Sequence, residues 1–179
     1  MKRLTSALMI GSVAAFVAGA PGSALAQARG YVQLGAGLAI PVGNYKDAGA
    51  KTGWVGQVAG GISSGMIGGR ISGSFIRNGI EGTSEHNRLI GAMADLVLSP
   101  KTSGKAAPYV LAGAGFQNGE TSGGISNGVT KFAWNAGAGI GVAAGGIGLF
   151  LEGRFLSMRT DGGSTNLIPI TVGVRLGGH

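Results

Sequence analysis

From Thr130 to Met158 the side chains alternate between two kinds, and that alternation restricts the chain to paired strands. Successive side chains of a strand point to opposite faces. Phe132, Trp134, Ala136, Ala138, Ile140 and Val142 therefore share one face, which is wholly apolar, while Lys131, Asn135, Gly137, Gly139 and Gly141 share the other. Ala143 to Gly146 reads as a tight small-residue turn. The returning segment repeats the pattern, with Leu149, Leu151, Gly153 and Phe155 on one face and Glu152 and Arg154 on the other. A soluble sandwich strand also alternates, so the character of the two faces decides. The polar face carries charges of opposite sign two residues apart and is otherwise rich in glycine, which suits a crowded interior where charges pair. The apolar face, with aromatics near the end next to a long loop, suits lipid.

The same period predicts strands over Arg29–Ile40, Gly53–Ser63, Gly69–Arg77, Arg88–Leu98, Pro108–Gln117 and Leu167–Leu176, which makes eight with the two of the hairpin. Long connections are expected at Pro41–Thr52, Asn78–Asn87, Asn118–Val129 and Arg159–Asn166. The remaining three, Ser64–Gly68, Pro100–Ala107 and Ala143–Gly146, are mostly shorter. An even strand number with long loops on one rim and turns on the other is the layout of a bacterial outer-membrane barrel. Strands of about ten residues match a tilted crossing of the hydrocarbon core. The expected fold is all-β: an eight-stranded antiparallel up-and-down transmembrane β-barrel after a cleaved signal peptide.

The beginning of the chain is read separately. Lys2 and Arg3 form a basic region, Ala7 to Ala20 an apolar one, and Ala24-Leu25-Ala26 an A-x-A cleavage signature. Residues 1–26 are thus expected to be a signal peptide and residues 27–179 the barrel domain. Loss of Lys2 and Arg3 takes the formal charge from +7 to about +5. No cysteine is present, so no disulfide staples an exported chain. No later segment approaches 18 uninterrupted apolar residues, so no transmembrane helix is expected. Only 12% of residues are charged, against ~25% in ordinary soluble domains. So few charges would leave a secreted soluble domain poorly dissolved, but not a membrane barrel.

Candidate functional residues follow from the faces. Arg70, Asp95, Glu152, Arg154 and Arg175 fall inward and read as a barrel-interior charge network, because the lumen of an eight-stranded barrel is just wide enough for side chains. Trp54, Phe75, Phe116, Phe132, Trp134 and Phe155 fall outward near the long-loop ends and read as an aromatic girdle. Gly137-x-Gly139-x-Gly141 and Gly113-x-Gly115 lie within strands at period two, not at the strand–turn–helix junction that a dinucleotide fingerprint needs. His86 and His179 are the two histidines and have no cysteine beside them, so no metal site is expected. No nucleophile–base arrangement is legible. An enzyme, a catalytic residue and a cofactor are therefore not expected.

The chain resembles the small outer-membrane β-barrel family, the opacity-type proteins and the barrel of outer-membrane protein A. Pro108-Tyr109-Val110-Leu111-Ala112-Gly113-Ala114-Gly115, Leu151-Glu152-Gly153-Arg154-Phe155 and Ile168-Pro169-Ile170-Thr171-Val172-Gly173-Val174-Arg175-Leu176 carry the resemblance. The chain departs from the family in ending on Leu176-Gly177-Gly178-His179 where relatives often end on an aromatic residue. The resemblance implies the outer membrane of a Gram-negative envelope and insertion by the barrel-assembly machinery. The partners expected are outer-membrane lipids, lipopolysaccharide through Arg77, Arg88, Lys131 and Arg159, and a surface ligand held by the loops; nucleic acid is not expected. The expected function is non-enzymatic: envelope integrity, or adhesion through four extracellular loops. The alternatives are a narrow porin-like channel for ions or small solutes and a soluble lipocalin-like ligand-binding barrel.

Overall fold

The computed structural model describes residues 28–82, 85–100, 102, 104–121, 129–160 and 163–177. The expected signal peptide lies outside these residues. Among them, eight strands run β1 (Arg29–Val42), β2 (Gly53–Ser64), β3 (Ile67–Gly79), β4 (His86–Leu98), β5 (Ala106–Thr121), β6 (Val129–Ala144), β7 (Ile147–Thr160) and β8 (Gly163–Gly177), with a one-turn helix α1 (Asn44–Asp47) after β1. Each strand pairs antiparallel with the next, and β1 pairs with β8, so the sheet closes. Closure leaves no row of unpaired backbone groups facing lipid.

Alternation sets which side chains point where. Leu34 is 62% exposed and Val172 59%, and both lie on the outer face with the other residues expected there. Gln33, Gln57, Asn135, Glu152 and Thr171 lie on the inner face and are buried. An outer surface this apolar around a closed sheet is the signature of a barrel in lipid.

The turn rim is tight. Ser64 pairs with Ile67 around Gly65-Met66, and Ala144 pairs with Ile147 around Gly145-Gly146. Gly145 and Gly146 both have positive φ, 57° and 92°, the backbone that a two-residue type I′ hairpin requires and that glycine adopts without strain.

The opposite rim departs from expectation in two places. The connection after β1 is not a plain loop. It folds into α1, whose Tyr45 packs against the buried core and accepts a hydrogen bond from Asn87 Nδ2 at 3.1 Å. Ala50 then bridges Ile80, and Lys51 N donates to Gly79 O at 2.8 Å, tying this connection to the one after β3. The expected long loop over Arg159–Asn166 is sheet instead: β7 and β8 pair from Leu156↔Leu167 out to Thr160↔Gly163. Ser164, Thr165 and Asn166 look loop-like because they are polar, yet they sit opposite Arg159, Met158 and Ser157 in the ladder. The connection after β7 is therefore not one of the long loops expected on this rim; that after β5, residues 122–128, lies outside the described residues.

The lumen is stratified. Toward the long-loop rim, Ala39, Val55, Ile76, Leu89, Met93, Ala133, Leu156, Met158 and Leu167 form a buried apolar plug under α1. The expectation that the inward set is charged and glycine-rich holds for the middle of the barrel and fails here. A narrow lumen must be filled, and near the rim it is filled with aliphatic volume. Toward the turn rim, Val97, Tyr109 and Leu111 form a second apolar group.

Candidate functional site

The middle layer of the lumen is built from strands on opposite walls. Arg70 on β3 stands directly across from Asp95 on β4. Its Nη2 donates to Asp95 Oδ2 at 3.0 Å and its Nε to the same oxygen at 3.2 Å. Its Nη1 crosses the lumen to β7 and donates to Glu152 Oε2 at 2.7 Å, and also to Gln33 Oε1 at 3.3 Å. Glu152 takes three further bonds, from Arg154 Nε at 2.5 Å, from Tyr109 Oη at 2.8 Å and from Arg70 Nη2 at 3.4 Å. Asp95 takes one from Asn135 Nδ2 at 2.8 Å and one from Ser72 Oγ at 3.4 Å. Arg154 Nη1 lies 3.8 Å from Asp95 Oδ2. Two carboxylates and two guanidiniums thus neutralise each other, with the Asp95 and Glu152 side chains fully buried. A buried pair survives only when its remaining lone pairs and protons are satisfied, and the neutral donors Tyr109, Asn135 and Ser72 do this for the two carboxylates.

Arg175 lies inside but apart from that cluster. Its guanidinium carbon is 4.6 Å from the centroid of the Tyr31 ring and 5.6 Å from that of Tyr109, within the range of a cation–π contact. The rings reach this position over glycine. A Cβ at Gly61 would come within 2.5 Å of the Tyr31 ring, and one at Gly139 would collide with Tyr109. Phe150 lies over Gly35 and Gly173 in the same way. Gly35, Gly61, Gly139 and Gly173 therefore mark places where an aromatic ring closely approaches the wall.

On the outer face the six aromatics meet in pairs across neighbouring strands. Trp54 and Phe75 stack at 5.1 Å, Phe116 and Phe132 meet edge-on at 6.4 Å, and Trp134 and Phe155 are tilted at 5.5 Å. They cover the arc from β2 to β3 and from β5 to β7. Arg77 stands opposite Trp54 in the β2–β3 register and opposite Arg88 in the β3–β4 register. Arg77 Nη2 lies 3.3 Å from His86 Nδ1, and Arg88 is ion-paired to Glu120.

The apolar plug and the aromatic–glycine contacts were not read from the sequence as functional features. A signal for the plug exists: Ala39-Ile40, Trp54-Val55, Phe75-Ile76, Leu89-Ile90, Phe155-Leu156 and Leu167-Ile168 are adjacent apolar pairs near the same rim. There both faces of the strand are apolar and the alternation lapses.

A family model described as the outer membrane protein beta-barrel domain matches residues 10–175. No curated protein gives a significant match. Among solved structures, the chain is similar to Neisserial surface protein A, with 18% identity, a TM-score of 0.67, and coverage of 82% of this chain and 96% of that one. It is similar to Ail, the attachment invasion locus protein of Yersinia pestis, with 16% identity, a TM-score of 0.52, and coverage of 84% and 99%. The N-terminal β-barrel domain of Pseudomonas aeruginosa OprF gives 16%, 0.52, and 84% and 98%. Identities this low speak to the fold alone. The match over most of its length identifies the chain as a member of the outer membrane protein beta-barrel domain family, an eight-stranded barrel of the outer membrane.

Proposed function

We propose that the protein is a non-catalytic, non-conducting barrel that reinforces the envelope and presents its outer rim to anionic surface ligands. The observation that carries this reading is the Arg70–Glu152 bond across the lumen, with the apolar plug stacked above it. Two different fillings in series leave an ion neither width nor solvation, which argues against the porin-like alternative. The outward apolar belt argues against a soluble ligand-binding barrel.

The ligand side of the reading rests on the rim. Arg77 and Arg88 are directly opposite one another; Glu120 already pairs with Arg88, and a phosphate or sulfate placed between the two guanidiniums would accept charge-assisted hydrogen bonds from both. Arg77 stands opposite Trp54, and an aromatic girdle marks the membrane interface, so lipopolysaccharide phosphates are the class of anion within reach. Ail has been solved in complex with the heparin analogue sucrose octasulfate, which supports a polyanion as the class of surface ligand. Export by the signal peptide over residues 1–26 and insertion by the barrel-assembly machinery belong to the same proposal.

The test joins two measurements on the purified, folded barrel. In planar bilayers no steady ion-selective steps are expected, and large reproducible steps would overturn the closed-lumen reading. In lipopolysaccharide-containing liposomes, Arg77→Ala/Arg88→Ala is expected to weaken lipopolysaccharide association relative to the parent. Unchanged association would overturn the assignment of the rim.

A further inference from the structure

Between the ion-pair layer and the apolar plug lies a cavity of about 20 Å³. Its floor is polar, with Gln57 on β2, Gln117 on β5, Asn135 on β6 and Arg154 on β7, and its upper wall includes Val55 and Leu156. Each of those four polar residues is buried. Each also has one buried polar atom with no hydrogen-bond partner in the protein: Gln57 Nε2, Gln117 Oε1, Asn135 Oδ1 and Arg154 Nη2. Unpaired buried polar atoms are uncommon in folded proteins, and each costs about 1–3 kcal/mol if it stays unpaired. Four converging on one cavity, from four strands on different walls of the barrel, point to a shared partner.

We infer that this cavity is a binding site for a resident water molecule that joins Gln57, Gln117, Asn135 and Arg154 across the lumen. The volume fits, since a cavity of roughly 10–15 Å³ admits one water. The donors and acceptors also fit. Asn135 Nδ2 donates to Asp95 Oδ1 at 2.8 Å, and a carboxylate only accepts, so the amide is oriented with its oxygen as the free atom. Gln117 Nε2 is directed to Ser74 Oγ at 3.5 Å, which leaves its oxygen free as well. Two donors and two acceptors remain, matching the two acceptor and two donor positions of one water. A cation is repelled by the Arg154 guanidinium, and an anion by the carbonyl oxygens of Asn135 and Gln117. A neutral molecule that both donates and accepts is the remaining class, and at this size it is water. The site completes the bonding of Arg154, whose Nε and Nη1 already hold Glu152 at 2.5 Å and Ser72 at 3.4 Å.

The test is solution NMR on the folded barrel in micelles, reading water-to-side-chain cross-relaxation at the Gln57 amide. A long-lived bound water is expected to give a cross-peak of the same sign as the intramolecular ones. It is expected to disappear in Gln117→Met, which removes an acceptor and fills the space. Absence of the cross-peak in the parent protein would overturn the inference. So would a high-resolution crystal structure in which Gln57 Nε2 donates directly to Gln117 Oε1 with the cavity closed. Neither result depends on the variant folding.

Discussion

Replacing Glu152 by Gln keeps the shape of the side chain and removes the charge that two guanidiniums share. In the native lumen Arg70 and Arg154 reach Glu152 at 2.7 and 2.5 Å. After the change, both must share Asp95, which already accepts from Arg70, Ser72 and Asn135. One buried cation is left uncompensated, and breaking a buried pair in this way costs about 3–5 kcal/mol. Arg70→Met costs a similar amount, because it leaves two carboxylates to Arg154. The double variant is different: Arg154 and Asp95 remain, already within 3.8 Å, and the lumen is neutral again. Its loss is expected to resemble that of either single variant, which makes the non-additivity about 3–5 kcal/mol, at or above the upper end of the ~0.5–3 kcal/mol seen for contacting residues. Urea unfolding in micelles followed by emission of Trp54 and Trp134 reads this directly. With an m-value of about 2 kcal/mol/M, each single variant lowers the midpoint by about 1.5–2.5 M. Losses that add within about 0.5 kcal/mol would refute the shared-charge argument, as would single losses below about 1 kcal/mol, a third of the lower bound expected for a broken buried pair.

Other expectations follow from the same geometry. Gly61→Ala brings a methyl to 2.5 Å from the Tyr31 ring and should cost about 1–3 kcal/mol by overpacking, whereas Gly60→Ala, with nothing within 4 Å, should leave the unfolding midpoint unchanged. Leu156→Ala in the plug should cost about 2–5 kcal/mol and still give no conductance in planar bilayers, because the ion-pair layer below it is intact. Burial pushes the Tyr45 phenol above its ordinary value of 10.0, only partly offset by the Asn87 hydrogen bond. A raised folded pKa means that this stabilisation is complete below the ordinary phenol value and is lost as pH rises through the shifted one. Amide exchange in Asn44–Asp47 is therefore expected to follow its base-catalysed trend near neutrality and to exceed that trend only in strong alkali, and Tyr45→Phe should abolish that excess.

Strand number, topology and facing were legible because one rule, period-two alternation, governs every strand wherever lipid lies on one side. Arg70, Asp95, Glu152 and Arg154 were legible as inward, and their bonds to one another required the register between β3 and β4 and the distance across to β7. Arg175 shares their parity, but its height along the axis puts it between Tyr31 and Tyr109, and parity alone carries no height. The plug escaped notice because the inner face near the rim is not polar, so alternation has no contrast there. The β7–β8 extension was hidden by composition, since Ser164-Thr165-Asn166 reads as loop. The Asp161-Gly162 pair that precedes it is a strong two-residue hairpin signal that argued for continued pairing.

The bond from Arg70 to Glu152 joins residues 82 positions apart, and this bears on assembly. Asp95 arrives on the strand after Arg70, but Glu152 arrives three strands later still, on β7. An intermediate holding only β1 to β5 would have Arg70 paired with Asp95 but its Nη1 without the far-wall carboxylate that receives it. Concerted closure is then favoured over stepwise addition: the sheet gains its central electrostatic clasp only when the late hairpin swings round, just before the first and last strands zip together.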